Sequence, residues 1–217
     1  RIFADELRQD RVGDTITHVI NRNINYTNIC LYHCGFCAFS KGSTKKERGP
    51  AYNIDHSEIA QRTLEAWERG ATEVCLQGGI HPSYDGHTYR AIVQAVKAAV
   101  PDMHVHAFSP LEVHHGATTL GLCYEEYLGG LKNAGLATLP GTAAEILSDD
   151  VRTIICPDKL DTQQWLSVMR AAHLVGLKTT ATIMFGHVET YAHWAEHLLC
   201  VRELQSETGG FTEFVPL

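Results

Sequence analysis

The sequence predicts an α/β fold, a partial (β/α)6 barrel of TIM type, on three observations. Short apolar strands alternate repeatedly with amphipathic helices, the pattern of a parallel sheet with helical crossovers. Six such strands make an open, three-quarter barrel rather than a closed one of eight. Residues of unusual chemistry fall in the loops beyond the strands' carboxyl ends, the rim on which such barrels build their sites.

Residues 20–29 alternate apolar and polar as the first strand. Asp55 and Glu58 then supply a capping box for a helix that ends at Gly70. Residues 73–76 are the second strand. Tyr89, Ile92, Val93, Val96 and Val100 share one helical face, Pro101 ends that helix, and residues 103–108 form the third strand. Tyr124, Tyr127, Leu128 and Leu131 mark the next helix, closed by Gly135, and residues 136–139 are the fourth strand. After a broken stretch, Asp161 and Gln164 cap a helix bearing Trp165, Val168, Met169 and Ala172 that ends at Gly176. Residues 178–185 are the fifth strand. Trp194, Leu198 and Val201 stripe a last helix before the sixth strand at residues 211–215.

With 217 residues and 44% apolar content, the chain can bury a core as one domain, residues 1–217. A formal charge of −7 offers no footprint for nucleic acid. No apolar run approaches the roughly eighteen residues of a membrane span, and no lipidation signal is present, so a soluble, cytoplasmic protein is expected. Flanking segments are expected at both ends, because the chain opens on Arg1 and stops in a strand with nothing after it.

Cys30, Cys34 and Cys37 stand in a C-x3-C-x2-C run. Three thiols so spaced can hold three irons of a 4Fe-4S cluster and leave the fourth open to a small molecule. A structural zinc site or a disulfide pair fits less well, because Cys75, Cys123, Cys156 and Cys200 stand alone and far apart. Lys41, Lys45, Lys46 and Arg48 follow the run as a solvated loop or as a dock for an acidic reductant.

The cysteine run resembles the signature of radical SAM enzymes, whose open iron binds and reductively cleaves S-adenosylmethionine (SAM). That resemblance implies that Gln77, Gly78 and Gly79 meet the methionine part of SAM through exposed backbone; a glycine pair alone is more often a turn, but one strand beyond the cysteine run the functional reading is favoured. It also implies that Ser109 and Glu145 bind the ribose hydroxyls or amino group of SAM, although serine before proline is a common turn former. Arg152 and Lys159 follow the fourth strand. A guanidinium suits a substrate carboxylate, and a surface salt bridge to Asp149 or Asp150 is the alternative. Thr180, Thr182 and Met184 share one face of the fifth strand, so the threonines and His187 contact substrate if that face lines the barrel.

Residues 21–30, 37–41, 77–82, 106–110, 140–145 and 180–190, the fourth strand's loop reading Pro140-Gly-Thr-Ala-Ala-Glu145, resemble the FO synthase subunit 2 family of deazaflavin coenzyme biosynthesis, or the carboxyl-terminal half of fused FO synthase. Cys123 and Tyr191 depart from that family's pattern. The resemblance implies a 4Fe-4S cluster held by three cysteines plus SAM. It further implies cleavage of L-tyrosine and transfer of its 4-hydroxybenzyl group to 5-amino-6-(D-ribitylamino)uracil, with Arg152 or Lys159 holding the tyrosine carboxylate. Its implied partners are FO synthase subunit 1, or a fused partner domain, and an electron donor. A sibling such as aminofutalosine synthase remains an alternative, as do a noncatalytic cluster carrier and a zinc-dependent barrel hydrolase. The last would build on His104, His106, His114 or His115.

Overall fold

The computed structural model describes residues 2–40 and 49–217, so the basic cluster at 41–48 lies outside the described residues. In chain order the elements are α1 (Ile2–Val12), β1 (Asn21–Asn25), α2 (His56–Glu68), β2 (Glu73–Gln77), α3 (Gly86–Ala99), β3 (His104–Ala107), α4 (Pro110–Leu120), α5 (Tyr124–Ala134), β4 (Thr138–Leu139), α6 (Asp149–Ile155), α7 (Thr162–Leu174), β5 (Lys178–Ile183), α8 (Tyr191–Thr208) and β6 (Phe211–Pro216). The strands form one parallel sheet in the order β1-β2-β3-β4-β5-β6, with β1 and β6 as its outermost strands among the described residues. This is the expected open barrel. No helix among the described residues is long and apolar enough to cross a membrane.

Alternation along each strand sorts the two faces of the sheet. Ile24, Val74, Leu76, Val105, Ala107 and Leu139 are fully buried on the outer face, where they pack with residues of α2, α3, α5 and α7. Trp165 and Met169 of α7 and Val201 and Leu204 of α8 close over Ala181 of β5. The inward positions are polar and only half-buried: Asn25 on β1, Cys75 and Gln77 on β2, His104 and His106 on β3, Thr138 on β4.

Capping residues start the helices where expected. Asp55 accepts from the Glu58 amide at 2.8 Å, and Asp161 from the Gln164 amide at 2.7 Å. Three helices were not expected. α1 has no buried face; α4 replaces the turn read at Ser109 and Pro110; α6 fills the stretch read as broken. The first strand stops at Asn25 rather than running to residue 29, because residues 26–31 bend over the barrel mouth. There the Gly79 amide donates to the Thr27 carbonyl and the Leu31 amide to the Ile80 carbonyl, both at 2.8 Å.

Several histidines serve the fold. His173 bridges Thr208 at 2.6 Å and Thr179 at 2.9 Å, His197 accepts from the Leu147 amide at 3.0 Å, and His106 bonds Thr138 at 2.7 Å. Burial pushes all three from 6.5 down to about 4. Below pH 6.5 the unfolded chain takes up protons that the folded chain refuses until about pH 4. Their contribution is therefore fully present above 6.5 and is lost as pH falls through that window. We predict a lower denaturant midpoint at about pH 5 than at about pH 7, and equal midpoints would refute it.

Candidate active site at the barrel mouth

The segment that leaves β1 carries the cysteines across the mouth, and neighbouring loops brace it. The Gly35 amide donates to the Ile155 carbonyl at 2.8 Å and the His33 amide to Asp158 at 2.9 Å. Cys30 Sγ accepts from the Ile80 amide and Cys37 Sγ from the Ser40 amide, each at 3.3 Å. Burial pushes the Cys34 thiol up to about 12, with the Lys159 charge acting against that rise. All three thiols line a cavity of about 270 Å³ together with Gln77, Gly78, Gly79, Ser109, Glu145 and Lys159. Its apolar wall includes Phe36, Leu111 and Met184.

The donor set fits an iron-sulfur cluster. Three cysteines border one cavity, yet among the described residues no three His, Cys, Asp or Glu side chains converge as on a single metal ion. Thiolates spread around a cavity suit a polynuclear cluster, whereas a zinc ion draws its sulfurs to within about 2.3 Å of one point.

Packing requires both glycines. A Cβ on Gly79 would fall 2.2 Å from the Ile29 carbonyl oxygen, and one on Gly78 would lie 2.4 Å from the Tyr26 ring. The first obstruction is main chain and cannot rotate away. The pair thus lets the loop after β2 nest against the cysteine segment, with its backbone at the cavity wall.

Glu112 went unnoticed in the sequence. It is 1% exposed and ties three strand ends together. Its carboxylate accepts from the Tyr26 hydroxyl after β1, from the Gly78 amide after β2 at 3.2 Å, and from the amide (2.7 Å) and hydroxyl of Ser109 after β3. Burial raises its carboxyl, and the Ser109, Tyr26 and Gly78 donors oppose that rise. The available signal was the spacing Ser109-x-x-Glu112 with proline at the first helical position, a capping box. Ser109 lines the cavity, but its hydroxyl is committed to Glu112.

Glu145 in the loop after β4 and Lys159 just beyond α6 form a largely buried ion pair, and the Lys159 ammonium also sits 5.5 Å from the centre of the Phe36 ring. Burial alone would lower the Lys159 ammonium, but the Glu145 charge lifts it above the ordinary lysine range. Ala143 and Glu145 take left-handed φ of 65° and 44°, a strain this loop sustains because it is pinned. Thr180 Oγ1 accepts from the Gly141 amide at 2.8 Å, the Thr182 hydroxyl donates to the Gly141 carbonyl at 2.7 Å, and the Met184 amide donates to the Glu145 carbonyl at 2.9 Å. The threonines thus face inward as expected, and they hold backbone.

Arg152 does not reach the cavity and makes neither anticipated salt bridge. It is 3% exposed, and its guanidinium donates to the carbonyls of Leu160, Ala144, Ile146 and Ala143. Arg152→Ala is expected to destabilise the fold by about 3–5 kcal/mol, since four buried carbonyls lose a charged donor. A denaturant midpoint within error of the parent would contradict this. His187 is exposed and borders a separate recess with Glu189, Tyr191 and Trp194, its ring centre 5.8 Å from that of Phe36. Gln77 lines the cavity and points its amide to Cys75 Sγ at 3.6 Å.

Residues 24–201 match the family described as the Radical SAM superfamily. The chain is 51% identical to a 5-amino-6-(D-ribitylamino)uracil--L-tyrosine 4-hydroxyphenyl transferase of Methanocaldococcus jannaschii, over 99% of this chain and 60% of that protein. It is 53% identical to an FO synthase of Mycobacterium tuberculosis, over 99% of this chain and 25% of that one. The chain therefore spans only part of the curated relatives it matches. Among solved structures it resembles methylornithine synthase (PylB), with a TM-score of 0.71 at 16% identity over 93% of this chain and 54% of that one. The hydrogenase maturase HydG from Carboxydothermus hydrogenoformans gives 0.70 at 18% over 98% and 47%. At such identities the likeness is one of fold.

Proposed function

We propose, from the premise that this chain belongs to the radical SAM superfamily, that it carries the SAM-cleaving core of an enzyme joining two small molecules. The enzyme cleaves L-tyrosine and adds its 4-hydroxybenzyl group to 5-amino-6-(D-ribitylamino)uracil, in the synthesis of a deazaflavin coenzyme. The observation that carries this reading is identity of about half over 99% of the chain to relatives bearing that transferase name.

Cys30, Cys34 and Cys37 would hold a 4Fe-4S cluster, which when bound supplies the electron that cleaves SAM to methionine and the radical that takes hydrogen from tyrosine. This chain's residues bind and orient. The backbone at Gly78 and Gly79 receives the methionine part of SAM, and Glu145 lies on the same wall for its ribose or amino group, with Ser109 beside it able only to accept, its proton being given to Glu112. Lys159, the cation at the cavity wall, is suited to a carboxylate, while Arg152 supports the loop that presents Glu145. Phe36, Leu111 and Met184 keep water from the reacting atoms. His187, on the adjoining rim, contacts whatever enters between the two recesses. The reaction is assigned to the cytoplasm, with an electron donor and with FO synthase subunit 1, or its fused equivalent, as partner.

Anaerobic reconstitution with iron and sulfide, then incubation with SAM, dithionite, L-tyrosine and the ribitylaminouracil, tests the reading. The expected products, followed by mass spectrometry, are 5'-deoxyadenosine and the hydroxybenzyl adduct. Deoxyadenosine without adduct, from a sample holding a full cluster, would move the chain to a sibling substrate.

A further inference from the structure

The inward face of the barrel carries neutral hydrogen-bonding groups that the chemistry at the mouth leaves unused. Asn25, Gln77, His104, His106, Thr138 and Thr180 stand at inward positions on five successive strands and are only half-buried. Closed barrels fill this space with Val, Ile and Leu; in this chain such residues are on the outer face. The register sets Asn25 beside Gln77, and His106 beside Thr138. The Thr138 hydroxyl lies 2.8 Å from His104 Nε2 and 2.7 Å from His106 Nδ1. It has one proton to donate, so one imidazole accepts from it while the other donates to it. Among the described residues no third ligand makes a metal site with these two imidazoles.

Two features narrow the occupant. Gln77 belongs both to this face and to the cavity wall, so the face adjoins the site at the mouth. The charged groups near its lower end are engaged, Glu73 with Asn21 and beside His104, and Lys178 with the Gly209 carbonyl. Among the described residues the lumen thus offers a carboxylate no unengaged cation but offers hydroxyl groups many neutral partners. Burial holds His106 neutral, so it too can donate and accept.

Resting on the reading above, we propose that this face seats the polyhydroxylated side chain of the ribitylaminouracil acceptor, with its ring toward Gln77 and the mouth. Tyrosine then occupies the cavity nearer Lys159 and the apolar wall. Polar groups half-buried in a lumen are satisfied by a ligand of matching hydroxyls, and a ligand lacking those hydroxyls leaves them unpaired.

The test measures binding directly in the cluster-reconstituted protein, by equilibrium dialysis under anaerobic conditions. The probes are 5-amino-6-(D-ribitylamino)uracil, 5,6-diaminouracil without the polyol, and L-tyrosine. The variants Asn25→Leu, His106→Leu and Thr138→Val lie on three strands, and Asn25→Ala, at the end of an edge strand, is the one least able to disturb the fold. Each is expected to weaken the ribityl compound by about tenfold or more and to change the affinity for tyrosine by less than about twofold. An unchanged Kd for the ribityl compound across the folded variants would overturn the proposal. So would a loss confined to tyrosine, or equally tight binding of diaminouracil. A parent protein that forms no adduct but binds the ribityl compound in a manner sensitive to these variants refutes the transferase reading and sustains the lumen site. One that neither forms adduct nor binds it overturns both.

Discussion

Cys34→Ser leaves the chain folded but unable to retain a full cluster, and it lowers 5'-deoxyadenosine formation by about three orders of magnitude or more. The thiol is half-buried against Phe36, Cys156 and Ile155, so a serine of similar size keeps the packing. Burial pushes that thiol up to about 12, so the group is a neutral thiol in the free protein, and as a cluster ligand it would release that proton to solvent. Iron and sulfide per chain after reconstitution, beside a circular-dichroism spectrum, separate loss of ligation from loss of fold. Parental iron content together with parental SAM cleavage would remove Cys34 from the cluster.

Glu112→Ala is the second large effect. It removes one buried acceptor from four donors on three loops, the Tyr26 hydroxyl, the Gly78 amide, and the Ser109 amide and hydroxyl. Unsatisfied buried donors of this kind cost about 3–5 kcal/mol in sum, after the loops relax. The Gly78-Gly79 loop then loses its tie to β3, so SAM affinity falls by about tenfold as well. Glu112→Gln keeps the volume but turns an amide NH2 toward one backbone amide, which can only donate, and one hydroxyl, which can turn to accept, and an intermediate loss is expected. Denaturant midpoints and SAM binding by dialysis read the two effects separately. A variant with both unchanged would show that the carboxylate is dispensable.

The three elements that escaped the sequence pattern have separate reasons. Helix α4 reads Pro-Leu-Glu-Val-His-His-Gly-Ala-Thr-Thr-Leu, in which glycine, threonine and histidine blur the apolar stripe. Its start was nevertheless written in Ser109, Pro110 and Glu112. Helix α6 has seven residues, too few for periodicity to register, and α1 buries no residue. Strands β2, β3 and β5 and helices α2, α3, α5 and α7 were legible because each presents one continuous apolar face to the core.

The cysteine spacing and the placing of unusual residues beyond strand ends made the site's chemistry and position readable along the chain, since both depend on neighbours a few residues apart. The partners of the polar side chains were not readable in that way. Arg152 on α6 and Lys159 just after it lie seven residues apart, yet the first is sealed among carbonyls while the second faces the cavity beside Glu145. Ser109 faces the cavity and still spends its hydroxyl on Glu112. A buried donor must find an acceptor among whatever groups the packed chain brings within about 3 Å, and those groups come from strands tens of residues away. Local pattern therefore selected the barrel and set three cysteines at its mouth, while long-range packing assigned each charged side chain to the cavity wall or to the scaffold.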